Sequence, residues 1–276
     1  MVSSNTMQYK MIFCDIDGTL LDSKNQISAQ TKKKIQELHR INIPFILVSA
    51  RMPSGIWPIQ DELGIKAPII CYSGALILSE RGDCVKTVGI NREKGVLVKE
   101  FLRSEWKHIC SSAFSHDLWI VDNAFDKWVV REQIVTSSMS TEGEISEYIP
   151  QGGHANKLLC MGEAEQIASL GRALKEKFSE LRVYRSKDTY LEIMDESASK
   201  SGAVKDLCEY YGIPVESTVS FGDNYNDVDM LLATGVGFAM GNAPEEVKRQ
   251  ARYTTLDNDH EGVLAGLNQL SFIGII

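Results

Sequence analysis

Three apolar runs constrain the fold before anything else does: residues 9–14, 43–49 and 67–74. Each is too short for a helix and reads as a buried strand. Between the first two, Ile35 and Leu38 share one face of a helical segment that Ser28 would cap. Between the second and third, residues 54–63 predict a short helix stopped by Gly64, with Pro58 inside it. Strand, helix, strand, helix, strand requires parallel pairing with right-handed crossovers. The rhythm returns at the far end. Residues 199–212 place Val204, Leu207, Cys208 and Tyr211 on one helical face, and a strand (217–223), helix (226–234), strand (235–241) and helix (244–252) follow.

In between, from about 84 to 189, the pattern changes. Residues 108–123 and 126–134 read as two exposed or half-buried strands carrying Trp119 and Trp128. Residues 156–162 read as a strand, 163–178 as an amphipathic helix, and 181–186 and 189–194 as two more strands. That mixture predicts an α+β unit with an antiparallel sheet. The expected architecture is therefore α/β: a doubly wound, mostly parallel, Rossmann-like core (1–83 and 190–276) interrupted by an inserted α+β cap domain (84–189). A chain of 276 residues is long enough for both. Trp119 and Trp128 are expected in the cap's core rather than on a stacking platform.

A net charge of −8 disfavours nucleic acid or an anionic membrane as a partner. No stretch reaches the length of a membrane span, and residues 1–10 lack the apolar segment of a secretory signal. The six cysteines have no Cys-x-x-Cys spacing and read as small buried hydrophobes of a reduced, cytoplasmic protein. The Gly-x-Gly at 235–237 belongs to a strand rather than a phosphate turn opening a helix, and the five histidines show no metal-ligand spacing.

In open parallel sheets, ligands bind beyond the carboxyl ends of the strands. Here those ends are polar. The first strand runs into Asp15 and Asp17, the second into Ser49 and Arg51, and strand 217–223 into Asp223, with Asn226 and Asp227 just after it. Lys200 opens the helix before that last strand. Clustered carboxylates call for a cation, and hard oxygen donors favour Mg²⁺. Mg²⁺, a lysine and loop amides together suit a phosphoryl group, whose transfer depends on positioning and charge neutralisation. Arg51 fits either a site role or a structural ion pair.

The segments DIDGTLL, VSAR, SKSGA and GDNYNDVDM resemble, in order and context, the four motifs of the haloacid dehalogenase superfamily, and most closely its Cof-like, type IIB capped sugar-phosphate phosphatases. The resemblance covers both core halves. It implies that Asp15 is the nucleophile, forming an aspartyl phosphate, and that Asp17 protonates the leaving oxygen and later activates water. It implies Mg²⁺ on Asp15, Asp17 (through its backbone carbonyl) and Asp223. Ser49, Ala50, Lys200 and Asn226 would hold the phosphate. Asp227 and Asn224 would support them, with Asn226 and Asp227 ordering Lys200 and metal-bound water. Asp17 must carry a proton while Asp15 stays ionised, so the two need unlike surroundings.

Two departures from the family pattern are present. Ser73 stands where many relatives have asparagine, and DESAS replaces a Pro-x-Gly before Lys200. The implied activity is Mg²⁺-dependent hydrolysis of a small phosphorylated metabolite, by a monomer or weak dimer, with the cap closing over the strand ends to choose the substrate. A phosphomutase, or a non-catalytic phosphometabolite-binding protein, is the alternative on the same fold.

Overall fold

The computed structural model describes residues 8–136 and 138–272. β1 (Met11–Asp15) is buried along its whole length, as a central strand covered on both faces must be. Next come α1 (Ala29–Arg40), β2 (Phe45–Val48), α2 (Trp57–Leu63) and β3 (Ile69–Cys71). The Ser28 hydroxyl accepts the Thr31 N–H and starts α1. Pro58 falls in the first turn of α2, where no helical hydrogen bond is lost, so it opens the helix instead of breaking it. The third strand is shorter than expected, because Tyr72–Gly74 forms a 3₁₀ turn. The chain then reverses into β4 (Leu76–Leu78), antiparallel to β3, and β5 (Cys84–Thr87). That hairpin was not among the expected elements.

The chain divides into two compact units. One comprises the residues up to Arg51, Ile56–Lys86 and those from Ser199 onward; the other comprises Met52–Gly55 and Thr87–Ala198. Apart from the short excursion at Met52–Gly55, the second unit spans Thr87–Ala198, against the expected 84–189.

The second unit contains α3 (Arg92–Glu105), β6 (Cys110–Ser115), β7 (Leu118–Val121), α4 (Lys127–Thr136) and β8 (Thr141–Glu142). It continues with β9 (Lys157–Met161), α5 (Ala164–Lys177), β10 (Leu181–Lys187) and β11 (Tyr190–Asp195). These strands form a six-stranded sheet in the order β8-β7-β6-β9-β11-β10, antiparallel except at β7–β8, and the short segments Ile90–Asn91 and His154–Ala155 pair separately. Ala113, Ile120, Leu158, Cys160 and Ile193 on one face pack against Val98 and Leu102 of α3 and Ile167, Leu170 and Leu174 of α5.

Two expectations fail in this unit. Residues 108–123 make a hairpin of two strands, and 126–134 form α4 rather than a strand. The Asp126 carboxylate accepts the Trp128 N–H at 2.8 Å, and its carbonyl accepts the Val130 N–H, so local capping starts a helix. The β-branched run suggested a strand, yet only Trp128 and Val129 of α4 are buried, while Ile134 is 76% exposed. Helix α3 was not foreseen either. Trp119 is buried and stacks on Phe114, and Trp128 is buried too. Both belong to the packing of the unit.

Back in the first unit lie α6 (Lys200–Tyr211), β12 (Thr218–Gly222), α7 (Val228–Ala233), β13 (Val236–Ala239), α8 (Glu245–Gln250) and β14 (Tyr253–Thr254). The main sheet runs β14-β13-β12-β1-β2-β3-β4-β5, and every pairing from β14 to β3 is parallel. Ala203, Val204, Leu207 and Cys208 of α6 pack on Met11, Phe13, Ile46, Val48 and Ile70 from three strands. Asp15 pairs with Val48, and Cys14 with Phe221. This register brings the ends of β2, β1 and β12 to one level, and it is what builds the site.

Candidate active site

At that level Asp15 is 7% exposed. Lys200, in the first turn of α6, reaches it with Nζ 2.6 Å from Asp15 Oδ1 and 2.5 Å from Asp227 Oδ1. Lys200 and Asp227 are fully buried. Asp227 is fixed from behind, its Oδ2 accepting the N–H groups of Asp223 (3.0 Å) and Asn224 (2.9 Å). The Thr19 hydroxyl donates to Asp223 Oδ1 at 2.8 Å. Asp15, Asp223 and Asp227 each present an oxygen, all within 4.8 Å of one another.

Three carboxylates here face one buried ammonium. Burial works against the Lys200 charge, but Asp15 and Asp227 outweigh it and hold the ammonium above its ordinary value. Burial, then the Asp227 charge, push the Asp15 carboxyl well up despite Lys200. Burial also pushes Asp223 up to about 6, against the Thr19 hydrogen bond and with help from Asp227. For carboxylates that are to stay ionised this is the wrong direction, and added positive charge would reverse it. Hard oxygen donors short of positive charge fit a divalent cation.

Asp17 lies in surroundings unlike those of Asp15. Its side chain is 55% exposed, and Arg51 grips it with two bonds, Nε to Oδ2 at 2.9 Å and a terminal nitrogen to Oδ1 at 2.5 Å. Arg51 therefore forms an ion pair, and the pair joins two of the strand-end motifs. Gly18 beside it has φ +83°, and a Cβ there would stand 2.5 Å from Asp223 Oδ2. Only glycine lets the loop lie that close to the carboxylate.

Ser49 is buried, its hydroxyl accepting the Arg51 N–H at 3.2 Å and its carbonyl accepting the Ser73 N–H at 2.9 Å. Ala50 follows, half-buried. Asn224 accepts the Tyr225 N–H and caps the 3₁₀ turn that carries Asp227. Asn226 on that turn is exposed and makes none of the bonds to Lys200, which come from Asp15 and Asp227. Of the two residues expected to order Lys200 and metal-bound water, Asp227 is the one that touches the lysine, because its carboxylate points inward from the same turn.

Sequence reasoning marked Ser73 only as a departure from the family pattern and passed over Tyr72. Both have φ near +50°, which non-glycine residues rarely adopt, and the Ser73 hydroxyl is buried with no hydrogen-bond partner among the described residues. The adjoining Gly74 packs so tightly on the α6 start that a Cβ would come 2.1 Å from the Ser199 carbonyl. Neither tyrosine nor serine signals such a turn. The glycine was the available clue.

A family model of haloacid dehalogenase-like hydrolases matches residues 12–267. The chain belongs to this family. A Haemophilus influenzae protein, provisionally named a phosphatase, is 36% identical over 258 residues, covering 93% of this chain and 96% of its own. The phosphatase YwpJ of Bacillus subtilis is 29% identical over 276 residues, covering 92% and 97%. Among solved structures, a haloacid dehalogenase-like hydrolase from Bacteroides thetaiotaomicron has a TM-score of 0.86 and 28% identity, covering 95% of this chain and 99% of its own. The haloacid dehalogenase resemblance of the four motifs and the family agree, and the chain is a phosphatase of this superfamily. No helix among the described residues is long and apolar enough to cross a membrane.

Proposed function

We propose that this phosphatase hydrolyses a small phosphomonoester, a sugar phosphate by class, through an aspartyl phosphate on Asp15 with Mg²⁺ as cofactor. One observation carries the reading: the buried Lys200 ammonium bridges Asp15 and Asp227 beside a third carboxylate. Asp15, Asp223 and the Asp17 carbonyl would hold the metal. When bound, Mg²⁺ would neutralise phosphoryl charge and keep Asp15 ionised.

The rest falls to the chain itself. Lys200 has three N–H donors and uses two on Asp15 and Asp227, leaving one for a phosphoryl oxygen. Ser49 accepts from Arg51 N–H, so its own hydroxyl proton is available for a second. Asp15 attacks phosphorus, the bond to the ester oxygen breaks, and Asp17 supplies the proton that the departing alkoxide takes. Water then attacks phosphorus and yields its proton to Asp17. The bond from phosphorus to Asp15 breaks, and inorganic phosphate leaves. To act as the acid, Asp17 must first let go of Arg51. The pair as built suits the carboxylate form needed to activate water.

Thr87–Ala198 would supply the substrate-selecting contacts, as the inserted position of that unit suggests. The test is phosphate release from sugar phosphates, nucleotides and cofactor phosphates, with and without Mg²⁺. Mg²⁺-dependent release, lost in Asp15→Asn, is expected; release that survives chelation undiminished would sink the metal assignment.

A further inference from the structure

The loop that carries Asp17 leaves β1 without a strand partner beyond a single bridge at Leu21, so something else must hold it. Within the loop, the Ile16 carbonyl receives the N–H groups of Thr19, Leu20 and Leu21 at 3.4, 3.1 and 3.0 Å. Three further polar groups of the loop are held by side chains more than two hundred residues away. Asn242 donates its side-chain N–H to the Gly18 carbonyl at 2.9 Å. Asn258 donates to the Leu21 carbonyl at 2.9 Å, and Asp259 accepts the Ser23 N–H at 2.8 Å. Asn258 also gives its backbone N–H to Asn242 Oδ1 at 3.2 Å. Both ends of the Asn242 amide are therefore used, which fixes which end is nitrogen.

Gly18 is thus held from two sides. Its Cα rests against the Asp223 carboxylate, and its carbonyl is tied to Asn242. Thr19, the next residue, is the one that donates to Asp223. Asn242 follows directly on the glycine-rich strand segment 235–241, to which the mechanism assigns no part.

We infer that Asn242, steadied by Asn258, is a positioning residue of the catalytic loop: it sets the Gly18 peptide, and through it the Asp17 carbonyl and the Thr19–Asp223 contact. This rests on the metal assignment proposed above. Asn242 is exposed, so water can replace its hydrogen bonds at little cost in stability. Water cannot reproduce a fixed direction. The signature is therefore a loss of metal affinity and turnover without a matching loss of stability. Partners that orient metal-binding groups from outside typically contribute about 10–100-fold.

The experiment uses the full chain and its Asn242→Ala and Asn242→Asp variants. Mg²⁺ binding is read by titration calorimetry, phosphate release at saturating Mg²⁺ by single ester assays, and folding by thermal melts. Both variants should bind Mg²⁺ about tenfold more weakly and turn over about tenfold more slowly, with melting temperatures close to the parent's. The aspartate variant is the sharper arm. Its extra negative charge alone would tighten Mg²⁺ binding, so weaker binding there reports displacement of the loop. Parent-like Mg²⁺ affinity and turnover in folded variants would overturn the inference. So would losses that merely follow a fall in melting temperature. If the parent chain itself neither binds Mg²⁺ nor releases phosphate, the failure lies with the metal assignment and not with Asn242.

Discussion

Both units of this protein bury lysines, and Lys99 of one and Lys200 of the other are treated differently. Lys99 in α3 is 4% exposed and donates to the Ser111 carbonyl and hydroxyl at 2.7 and 2.8 Å and to Asp122 at 2.8 Å. Arg103 shares Asp122 and also reaches Glu144. Two cations there meet two carboxylates, and two of Lys99's three partners are neutral. Burial accordingly holds the Lys99 ammonium below its ordinary value, with Asp122 only partly opposing it. Lys200 meets the same burial but two carboxylates directly and a third nearby, and it is held above its ordinary value. A balanced network closes on itself and stabilises a fold. A network short of two positive charges is built for something that arrives with them.

The hardest way to test that contrast is to remove one lysine from each unit. Lys200→Met should cut phosphate release by on the order of 10⁴-fold or more, as removal of a member of a catalytic set does. Asp15→Asn should do the same and form no phosphoenzyme with any ester. Lys99→Met should leave turnover at the parent level and lower stability by about 1–3 kcal/mol, since Asp122 keeps Arg103 but two Ser111 acceptors lose their donor. Phosphate release and denaturant melts on the three variants decide it. A turnover collapse in Lys99→Met with the fold intact would erase the distinction between the two lysines.

A second contrast lies within the site, between the buried Asp15 and the exposed Asp17. Asp17→Asn should slow single-turnover phosphorylation by a sugar phosphate by about 10²–10⁴-fold, the usual contribution of a general acid. With p-nitrophenyl phosphate the loss should be far smaller, because p-nitrophenolate leaves without needing a proton. Equal losses with both esters would make Asp17 a positioning residue and not the acid. Arg51→Ala should mainly slow hydrolysis of the phosphoenzyme, since it frees the carboxylate that must face the water. Rescue by added guanidinium would tie that defect to the Asp17 pair.

What the sequence reveals and what it hides divide along the same physical line. The strands ending in Asp15 and Asp223, the helix opened by Lys200 and the change of rhythm in the middle are all local patterns, readable within a few residues. Helix α4 was not readable that way. Val129, Val130, Ile134 and Val135 favour a strand as residue types, but the Asp126 cap and the exposure of most of them decide for a helix. The left-handed Tyr72 and Ser73 have no compositional signature, because the strain is sustained by packing around them. Arg51 could be placed beside the site but not paired, since the pair depends on two strand ends meeting. The contacts of Asn242 and Asn258 with the catalytic loop span the whole chain, and a single sequence carries no trace of such a meeting.

The smallest effect expected separates the two units by pH. In the metal-free protein Asp223 titrates near 6 in the folded state against an ordinary value of 3.8, raised by burial. Its folded form binds the proton more tightly than the unfolded chain does. The stability this contributes is full below about pH 3.8 and is lost as pH rises through about 6. Asp122 is the opposite case: burial raises it, but Lys99 and Arg103 prevail and leave it below its ordinary value. Its contribution is present above the unfolded value and is lost as pH falls through the lower folded one. Melting temperatures of metal-free protein between pH 4 and 7 should therefore fall by a few degrees toward neutrality through Asp223, with the raised Asp15 carboxyl adding in the same direction, and Asp223→Asn should reduce that slope. Asp122→Asn should leave the slope alone and remove a loss seen only on the acid side of pH 4. Protons and metal compete for the same carboxylate, so saturating Mg²⁺ should reverse the Asp223 slope, making the protein more stable as pH rises from 5 to 7. A metal-free slope that Asp223→Asn leaves unchanged would mean that the charge deficit at the strand ends is met by groups other than this carboxylate.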